Sequence, residues 1–384
     1  MAIGGPIGRR VDLTLTQKLL EINWLLVLVI MLIAAVGFAM LYSAANGQID
    51  PWASRQMIRF AAGLALMLGI AVIDIRSWLR HAYLIYAAAL LLLVAVELLG
   101  VVGMGARRWV DLGLFQLQPS EVMKIALVLA LARYYHGLPL EEVERKRWLI
   151  VPLVMIAAPV ALVMRQPDLG TAILLLATAT AMLLLAGVRL WKFGVALGAI
   201  ILAIPLAWRF LLHGYQKDRV LTYLDPERDP LGAGYHIMQS KIALGSGGLF
   251  GKGFMQGTQS HLSFLPERQT DFIFTMLAEE FGLIGCLGLL SLYVFVIAYG
   301  YAIAARARNH FGRLLATGVI TTFFLYVFIN MAMVMGLIPV VGVPLPLVSY
   351  GGTSMMSLLI GFGLVLSVYV HRDVTIPRRP NFPG

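Results

Sequence analysis

The side chains that could perform acid–base chemistry are concentrated in one polar stretch that begins at Tyr215 and ends at Asp271. This stretch mixes glycines, aromatic residues, cations and carboxylates, whereas disordered linkers have a biased, low-complexity composition. Loops longer than about 12–15 residues are uncommon unless they are functional or disordered. The composition of this stretch therefore indicates a binding surface.

Asp271 stands where the polar stretch meets the apolar sequence FIFTMLAEEFGLIGCLGLL. Two compatible interpretations apply to this position. Thr270 is expected to be the N-cap of a helix, which places Asp271 at the positive end of the helix dipole. The dipole keeps Asp271 ionised, and an ionised carboxylate at a membrane face can accept a proton from a hydroxyl group. Because the dipole also lowers basicity, a strong base here would need partial desolvation by a bound substrate.

The glycine-rich segment 245–253, GSGGLFGKG, is similar at first sight to a phosphate-binding loop. Such a loop needs Gly five residues before its Gly-Lys and Ser or Thr directly after it, but Ser246 and Gly253 occupy these positions. Glycines still allow backbone amides to approach an anion closely, and Lys241 and Lys252 flank them. The sequence leaves two alternatives, an anion contact and a flexible turn.

Two pairs of charged residues fall within apolar runs, where charges are costly and usually face the protein interior or a wet cavity. Glu121 and Lys124 are three residues apart on a helix and within pairing reach, which predicts either a structural ion pair or a substrate cavity. Glu279 and Glu280 lie some 12 Å past Asp271 along the same helix. They are expected to line the same cavity or to pair with a cation.

Other reactive residue types give weaker signals. Asp168, in the turn RQPDLGT between two apolar runs, is expected to cap the following helix. His213, His236 and His261 lack the spacing of zinc ligands, so no metal site is expected from them. The single cysteine, Cys286, can form no internal disulfide and supports no cysteine-based metal site.

Membrane helices must hold these residues in place. The sequence is 60% hydrophobic and 13% charged, with a mean hydropathy of +0.83, whereas soluble domains are near half apolar and a quarter charged. The formal net charge is +10, but the cations stand in short clusters between apolar runs, as determinants of membrane orientation do. We therefore expect an integral membrane protein with no nucleic-acid partner.

The apolar runs predict an all-α integral membrane fold with about ten transmembrane helices. The first run, 24–44, is near the roughly 20 residues that cross a bilayer as a helix, and it exceeds the apolar core of about 7–15 residues in a secretory signal. A retained span is therefore favoured over a cleaved signal. The other runs lie at about 60–75, 82–102, 122–131, 149–164, 171–187, 193–212, 272–305, 314–338 and 354–370. No internal repeat stands out, which disfavours transporter folds built from duplicated halves.

Alternate connectors carry most of the cations and, by the positive-inside rule, mark the cytoplasmic side. These cations are Arg76, Arg80, Arg133, Arg145, Lys146, Arg147, Arg189, Lys192, Arg306, Arg308, Arg313, Arg372, Arg378 and Arg379. The pattern predicts a cytoplasmic N-terminal segment 1–23, a polytopic membrane domain 24–371 and a cytoplasmic tail 372–384. The loop 213–270 is then extracytoplasmic, together with the other elaborate connectors at 49–55, 103–120, 166–170 and 339–350. Any chemistry faces outward, where no ATP is expected.

Five stretches, taken in order, resemble the SEDS family of cell-wall polymerases (shape, elongation, division and sporulation). They are GARRWVDLGLFQLQPSEVMK, RQPDLGTA, DPLGAGYHIMQSKIALGSGGLFGKG, FLPERQTDFIF and GLIPVVGVPLPLVSYGGTS. The resemblance covers nearly the whole chain, from about Trp24 to His371. The phrase VPLPLVSYGG and the short tails are more similar to the elongation-type, RodA-like branch than to the division branch.

The resemblance implies a peptidoglycan glycosyltransferase that polymerises lipid II, an undecaprenyl-linked disaccharide, on the outer face of the bacterial cytoplasmic membrane. It implies a class B penicillin-binding protein as partner, and contact with membrane lipid. The family's essential aspartate falls on Asp271, the proposed base. The buried residues of the PSE..K motif fall on Glu121 and Lys124, and the aspartate of QPDLG is Asp168.

Such a reaction needs positive charge where the lipid pyrophosphate departs. The expected sources are cations of the polar stretch, or a bound divalent metal. The four cations are Arg219, Lys241, Lys252 and Arg268.

Two other functions stay open at this point. A lipid flippase would use the intramembrane charges to escort a headgroup across the bilayer, but a transporter needs access from both faces, and the unusual residues are concentrated on one. A non-catalytic scaffold would use the long loop only to dock a penicillin-binding protein.

Overall fold

A computed structural model describes residues 14–377, except for 104–105, 112, 114–115, 140, 144, 212–213, 226–232 and 262–266. A short helix α1 (Leu15–Leu20) precedes ten longer helices, one for each apolar run. The ten are α2 (Trp24–Ala44), α3 (Trp52–Val72), α4 (Ile75–Leu99), α5 (Pro119–His136), α6 (Lys146–Arg165), α7 (Leu169–Leu185), α8 (Leu190–Leu206), α12 (Ile273–Arg306), α13 (His310–Val334) and α14 (Gly352–Val370).

Eight of these helices are long and apolar enough to cross a membrane. Of the other two, α7 is shorter, and α5 carries Glu121, Lys124 and Arg133. The predicted helical membrane fold is confirmed, and the number of spans stays a prediction.

Polar residues at the helix starts explain where several helices begin. The side chains of Asn23, Asp74 and Asn309 each accept a hydrogen bond from a backbone N–H in the first turn of α2, α4 and α13. Asp168 does the same for α7. Each cap satisfies a backbone donor that has no partner inside the helix.

The polar stretch after α8 is predicted from the sequence only as a loop, but it contains regular structure. A π-helical turn, Ala207–Leu211, ends α8, and the stretch then folds into α9 (Gly214–Leu224), α10 (Ala233–Ser246) and α11 (Thr258–His261). The connector before α5 forms antiparallel strands β1 (Val101–Gly103), β2 (Ala106–Asp111) and β3 (Gln116–Leu117). Arg108 of β2 donates to the backbone oxygens of Gln166 (3.0 Å) and Pro167 (2.5 Å), which ties this hairpin to the turn before α7.

Helix α12 is broken at Gly282, where φ is 63° and ψ is −160°. The glycine-rich segment fills the break and supplies backbone partners on both sides of it. The four hydrogen bonds are Lys252 N–H to Glu279 O (3.0 Å), Gly253 N–H to Glu280 O (3.0 Å), Leu283 N–H to Gly248 O (3.0 Å) and Ile284 N–H to Leu249 O (3.1 Å). The break therefore leaves these groups satisfied, as burial in a membrane protein requires.

Candidate active site at the start of helix α12

Asp271 is half-buried and lies in a turn just before α12. The helix begins at Ile273, and its N-cap, Phe272, makes no side-chain cap hydrogen bond. Thr270 Oγ1 instead donates to Glu267 O (3.1 Å) and Glu267 Oε2 (2.9 Å). The prediction that Thr270 caps the helix is therefore wrong, because a turn held by Glu267 separates Thr270 from the first helical residue.

Asn330 of α13 fixes the backbone at Asp271. Its side chain is fully buried, and Nδ2 donates both to Asp271 O (3.0 Å) and to Val343 O (2.7 Å). One amide thus joins the turn before α12 to the connector between α13 and α14. No motif or spacing marks Asn330 in the sequence, although a lone carboxamide within an apolar helix is a signal of function.

The same connector forms a wall beside the Asp271 carboxylate. Gly342 has φ +70°, and a Cβ at this position would lie 3.5 Å from Asp271 Oδ2. Ser349 Oγ donates to Thr270 O (2.6 Å), and Tyr350 N–H donates to Gln269 O (2.8 Å). The VPLPLVSYGG motif therefore folds against the TDF motif and holds the two residues that directly precede Asp271.

Glu121 and Lys124 form an ion pair of 2.8 Å in the interior. Both are buried. The second carboxylate oxygen of Glu121 accepts from Tyr326 OH (2.8 Å) and Ser357 Oγ (3.0 Å), and Lys124 also donates to Tyr326 OH. A buried pair is tolerated only when its remaining lone pairs and protons are satisfied, and these partners from α13 and α14 satisfy them.

One face of α13 connects this ion pair to Asp271. Tyr326 and Asn330 are four residues apart and therefore adjacent on the helix surface. Tyr326 contacts Glu121, and Asn330 contacts Asp271. Two motifs that are far apart in the sequence are thus held by neighbouring side chains of one helix.

Glu279 and Glu280 are buried on α12, between Asp271 and the break. Glu279 Oε1 accepts from Lys252 Nζ (2.8 Å), Thr258 Oγ1 (3.2 Å) and Gln259 N–H (3.0 Å). Glu280 Oε1 accepts from Ser43 Oγ (2.5 Å) on α2. The Lys252 ammonium, predicted to contact substrate, is therefore engaged by a buried carboxylate.

Arg268 lies three residues before Asp271, and Lys241 lies on α10, which packs against α12. The exposed Lys241 side chain covers Gly336, just after α13. Its neighbour Ser240 contacts Thr275 Oγ1 (2.9 Å) in the first turn of α12. Arg268 is half-buried, and burial lowers the pKa of its guanidinium. Arg219 lies on α9, but its side chain is outside the described part of the chain.

Asp168 belongs to the α5–α7 side of the molecule. As the N-cap of α7, it accepts from Thr171 N–H (3.1 Å) and Thr171 Oγ1 (3.0 Å). Gln118, the residue before α5, donates to Oδ2 of Asp168 (3.3 Å), the oxygen that also accepts from Thr171 Oγ1. Within the described residues, no group of three or more His, Cys, Asp and Glu side chains could hold a metal ion.

The family model FtsW/RodA/SpoVE, described as a cell cycle protein, matches residues 23–374. The chain is 52% identical to the peptidoglycan glycosyltransferase MrdB of Escherichia coli over 280 residues, which cover 73% of this chain and 75% of the relative.

Two solved structures are similar to this fold. A chain from a peptidoglycan synthase complex that coordinates polymerization and crosslinking superposes with a TM-score of 0.80 at 35% identity, covering 91% of this chain and 98% of that one. The rod shape determining protein RodA of Thermus thermophilus superposes with a TM-score of 0.69 at 32% identity, covering 91% and 97% of the two chains.

Proposed function

The chain belongs to the FtsW/RodA/SpoVE family, which is the SEDS family that its motifs resemble, and from this membership we propose that it polymerises lipid II with Asp271 as the general base. It is a peptidoglycan glycosyltransferase, as its relative of 52% identity is named. The observation that supports the role of Asp271 is the double clamp on its turn. Asn330 holds it from α13, and Ser349 with Tyr350 holds it from the connector.

The proposed step is a displacement at the anomeric carbon of the donor sugar. The 4-hydroxyl oxygen of the acceptor forms the new bond, the bond to the lipid diphosphate breaks, and Asp271 takes the hydroxyl proton. General base catalysis of this kind contributes about 10²–10⁴-fold. The rigid turn keeps the carboxylate in place, so little binding energy is lost in orienting it.

Positive charge near the turn would stabilise the departing diphosphate. Lys241 and Arg268 are the candidates for this role, because Arg268 is three residues before Asp271 and Lys241 follows Ser240, which contacts Thr275 in the first turn of α12. Lys252 is paired with Glu279 and would have to leave that carboxylate to bind the diphosphate. Arg219 stays a further candidate on α9.

We place this site on the outer face of the membrane. Ser43, near the end of α2, contacts Glu280, and Asp271 precedes Glu280 on the same side of the break in α12. At the other end of the helices, Arg372 lies beside Glu21 (2.8 Å). The second end carries the clustered cations and is therefore the cytoplasmic one by the positive-inside rule. Both chain termini then lie in the cytoplasm. A class B penicillin-binding protein is the proposed partner, because a similar chain comes from a complex that couples polymerization to crosslinking.

The proposal is tested by polymerisation of purified lipid II with the wild-type protein and Asp271→Asn, each in complex with the crosslinking partner. Loss of glycan synthesis with an intact complex is expected. Full activity of Asp271→Asn would reject Asp271 as the base. Headgroup translocation in vesicles without glycan synthesis would favour a flippase. Synthesis that depends only on the partner's active site would favour a scaffold.

A further inference from the structure

The glycine-rich segment 245–253 has an apolar tip at its centre, formed by Leu249 and Phe250. The proposed chemistry does not use this tip. Leu249 and Phe250 are 62% and 77% exposed. Two large apolar side chains side by side at this exposure are unusual on a surface that faces water. They follow the sequence SGG and precede GKG, so the tip is framed by residues that let the backbone approach other groups closely.

The backbone below the tip is rigid. A Cβ at Gly247 would lie 2.0 Å from Ala278 O, and a Cβ at Gly251 would lie 2.1 Å from Glu280 O. Only glycine fits such contacts, and Gly251 also has φ +81°. The segment is thus a close-packed plug in the break of α12, which argues against the flexible-turn alternative.

Two independent features set the depth of the tip. The part of α12 after the break, from Leu283 to Arg306, is about 36 Å long, slightly more than the hydrocarbon core of about 30 Å. Helix α2 ends at Ala44, and its Ser43 contacts Glu280, two residues before the break. Both features place the break at the boundary of the hydrocarbon core, on the membrane face where Asp271 lies.

Aromatic residues mark the same level. Phe254 stacks on Tyr42 of α2, with 6.4 Å between the ring centroids, and lies 5.9 Å from Phe281 of α12. Tyrosine is enriched at membrane–water interfaces, so the Tyr42 side chain marks this level. Leu249 O accepts a hydrogen bond from the backbone N–H of Ile284, whose side chain is 55% exposed on the apolar surface of α12. The tip therefore continues a lipid-facing helix surface.

We propose that Leu249 and Phe250 insert into this leaflet and contact lipid acyl chains. The nearest charge in the segment, Lys252, is neutralised by Glu279 at 2.8 Å, which lowers the cost of placing the segment at this depth. The insertion anchors the polar stretch to the bilayer beside α12. It is independent of the reaction that Asp271 performs.

The test is nitroxide spin labelling of the full chain in vesicles of phosphatidylethanolamine and phosphatidylglycerol. The only cysteine is Cys286, so Cys286→Ala gives a cysteine-free background into which Phe250→Cys and Leu249→Cys are introduced one at a time. Molecular oxygen, which partitions into lipid, and a water-soluble nickel chelate are the relaxing agents. Leu287→Cys, 53% exposed on α12, is the lipid reference, and Gln256→Cys, exposed three residues after the segment, is the water reference.

Oxygen-dominated relaxation at 249 and 250, matching position 287, is the expected result. Position 256 should instead be relaxed mainly by the nickel chelate. If Phe250→Cys fails to fold, Leu249→Cys reports on the same surface. Nickel-dominated relaxation at the tip would overturn the inference, and so would protection from both agents, since that result means a protein partner or a second copy covers the tip.

Discussion

Replacing Asn330 by Leu tests whether the fixed turn is what makes Asp271 effective. The two side chains branch at the same carbon, so Leu replaces the amide with apolar methyl groups in a similar shape. The substitution removes the hydrogen bonds to Asp271 O (3.0 Å) and Val343 O (2.7 Å). Both carbonyl oxygens then lose the donor that joins them.

The size of the effect follows from these two bonds. A buried polar group left without its partner costs about 1–3 kcal/mol, so the change weakens the joint between the turn and the connector by about 2–6 kcal/mol. Ser349 and Tyr350 still hold Thr270 and Gln269, so the turn stays attached but Asp271 shifts. A displacement of about 1 Å costs roughly 100-fold in rate. We expect kcat to fall by about that factor while KM changes little.

The assay is lipid II polymerisation by the complex with the crosslinking partner, normalised to folded protein. Thr322→Val is the matched control, because it removes a buried hydroxyl from the same helix. The partners of that hydroxyl are Gly318 O and Thr178 Oγ1. Wild-type kcat in Asn330→Leu would refute the clamp. An equal loss in Thr322→Val would mean that any damage to α13 suffices. A loss confined to KM would show that Asn330 serves binding and not the base.

Two further predictions concern the break in α12. Lys252→Met removes the ammonium that pairs with the buried Glu279 carboxylate and should destabilise the protein by about 3–5 kcal/mol. Adding Glu279→Gln should recover most of this loss in thermal unfolding, and an unchanged melting temperature in the single variant would contradict the pairing. Gly251→Ala, at φ +81° and with its Cβ 2.1 Å from Glu280 O, should cost at least about 1–3 kcal/mol. Gly245→Ala, whose Cβ meets no atom within 4 Å, should be neutral or stabilising by up to about 1 kcal/mol, and equal effects of the two variants would show that the plug is not close-packed.

The sequence was sufficient for most features that depend on local pattern, although it predicted the Thr270 cap wrongly. Apolar runs of bilayer length indicate the helices because a helix of about 20 residues crosses the bilayer and satisfies its backbone groups within the segment. The three-residue spacing of Glu121 and Lys124 indicates a pair on one face, and the structure has that pair at 2.8 Å. The motif set also indicates the family, since the order of five stretches is far more specific than any one of them.

Tertiary structure decided which groups meet across the chain. Asn330 contacts Asp271, Lys252 pairs with Glu279, and the glycine-rich segment fills the break at Gly282. Each contact joins segments that spacing along one helix cannot relate. The glycines illustrate the difference, because their freedom of backbone conformation suits an anion site, a turn or a close-packed plug equally well. Only the position of the Glu280 carbonyl, 2.1 Å from where a Cβ at Gly251 would lie, distinguishes the plug from the other two.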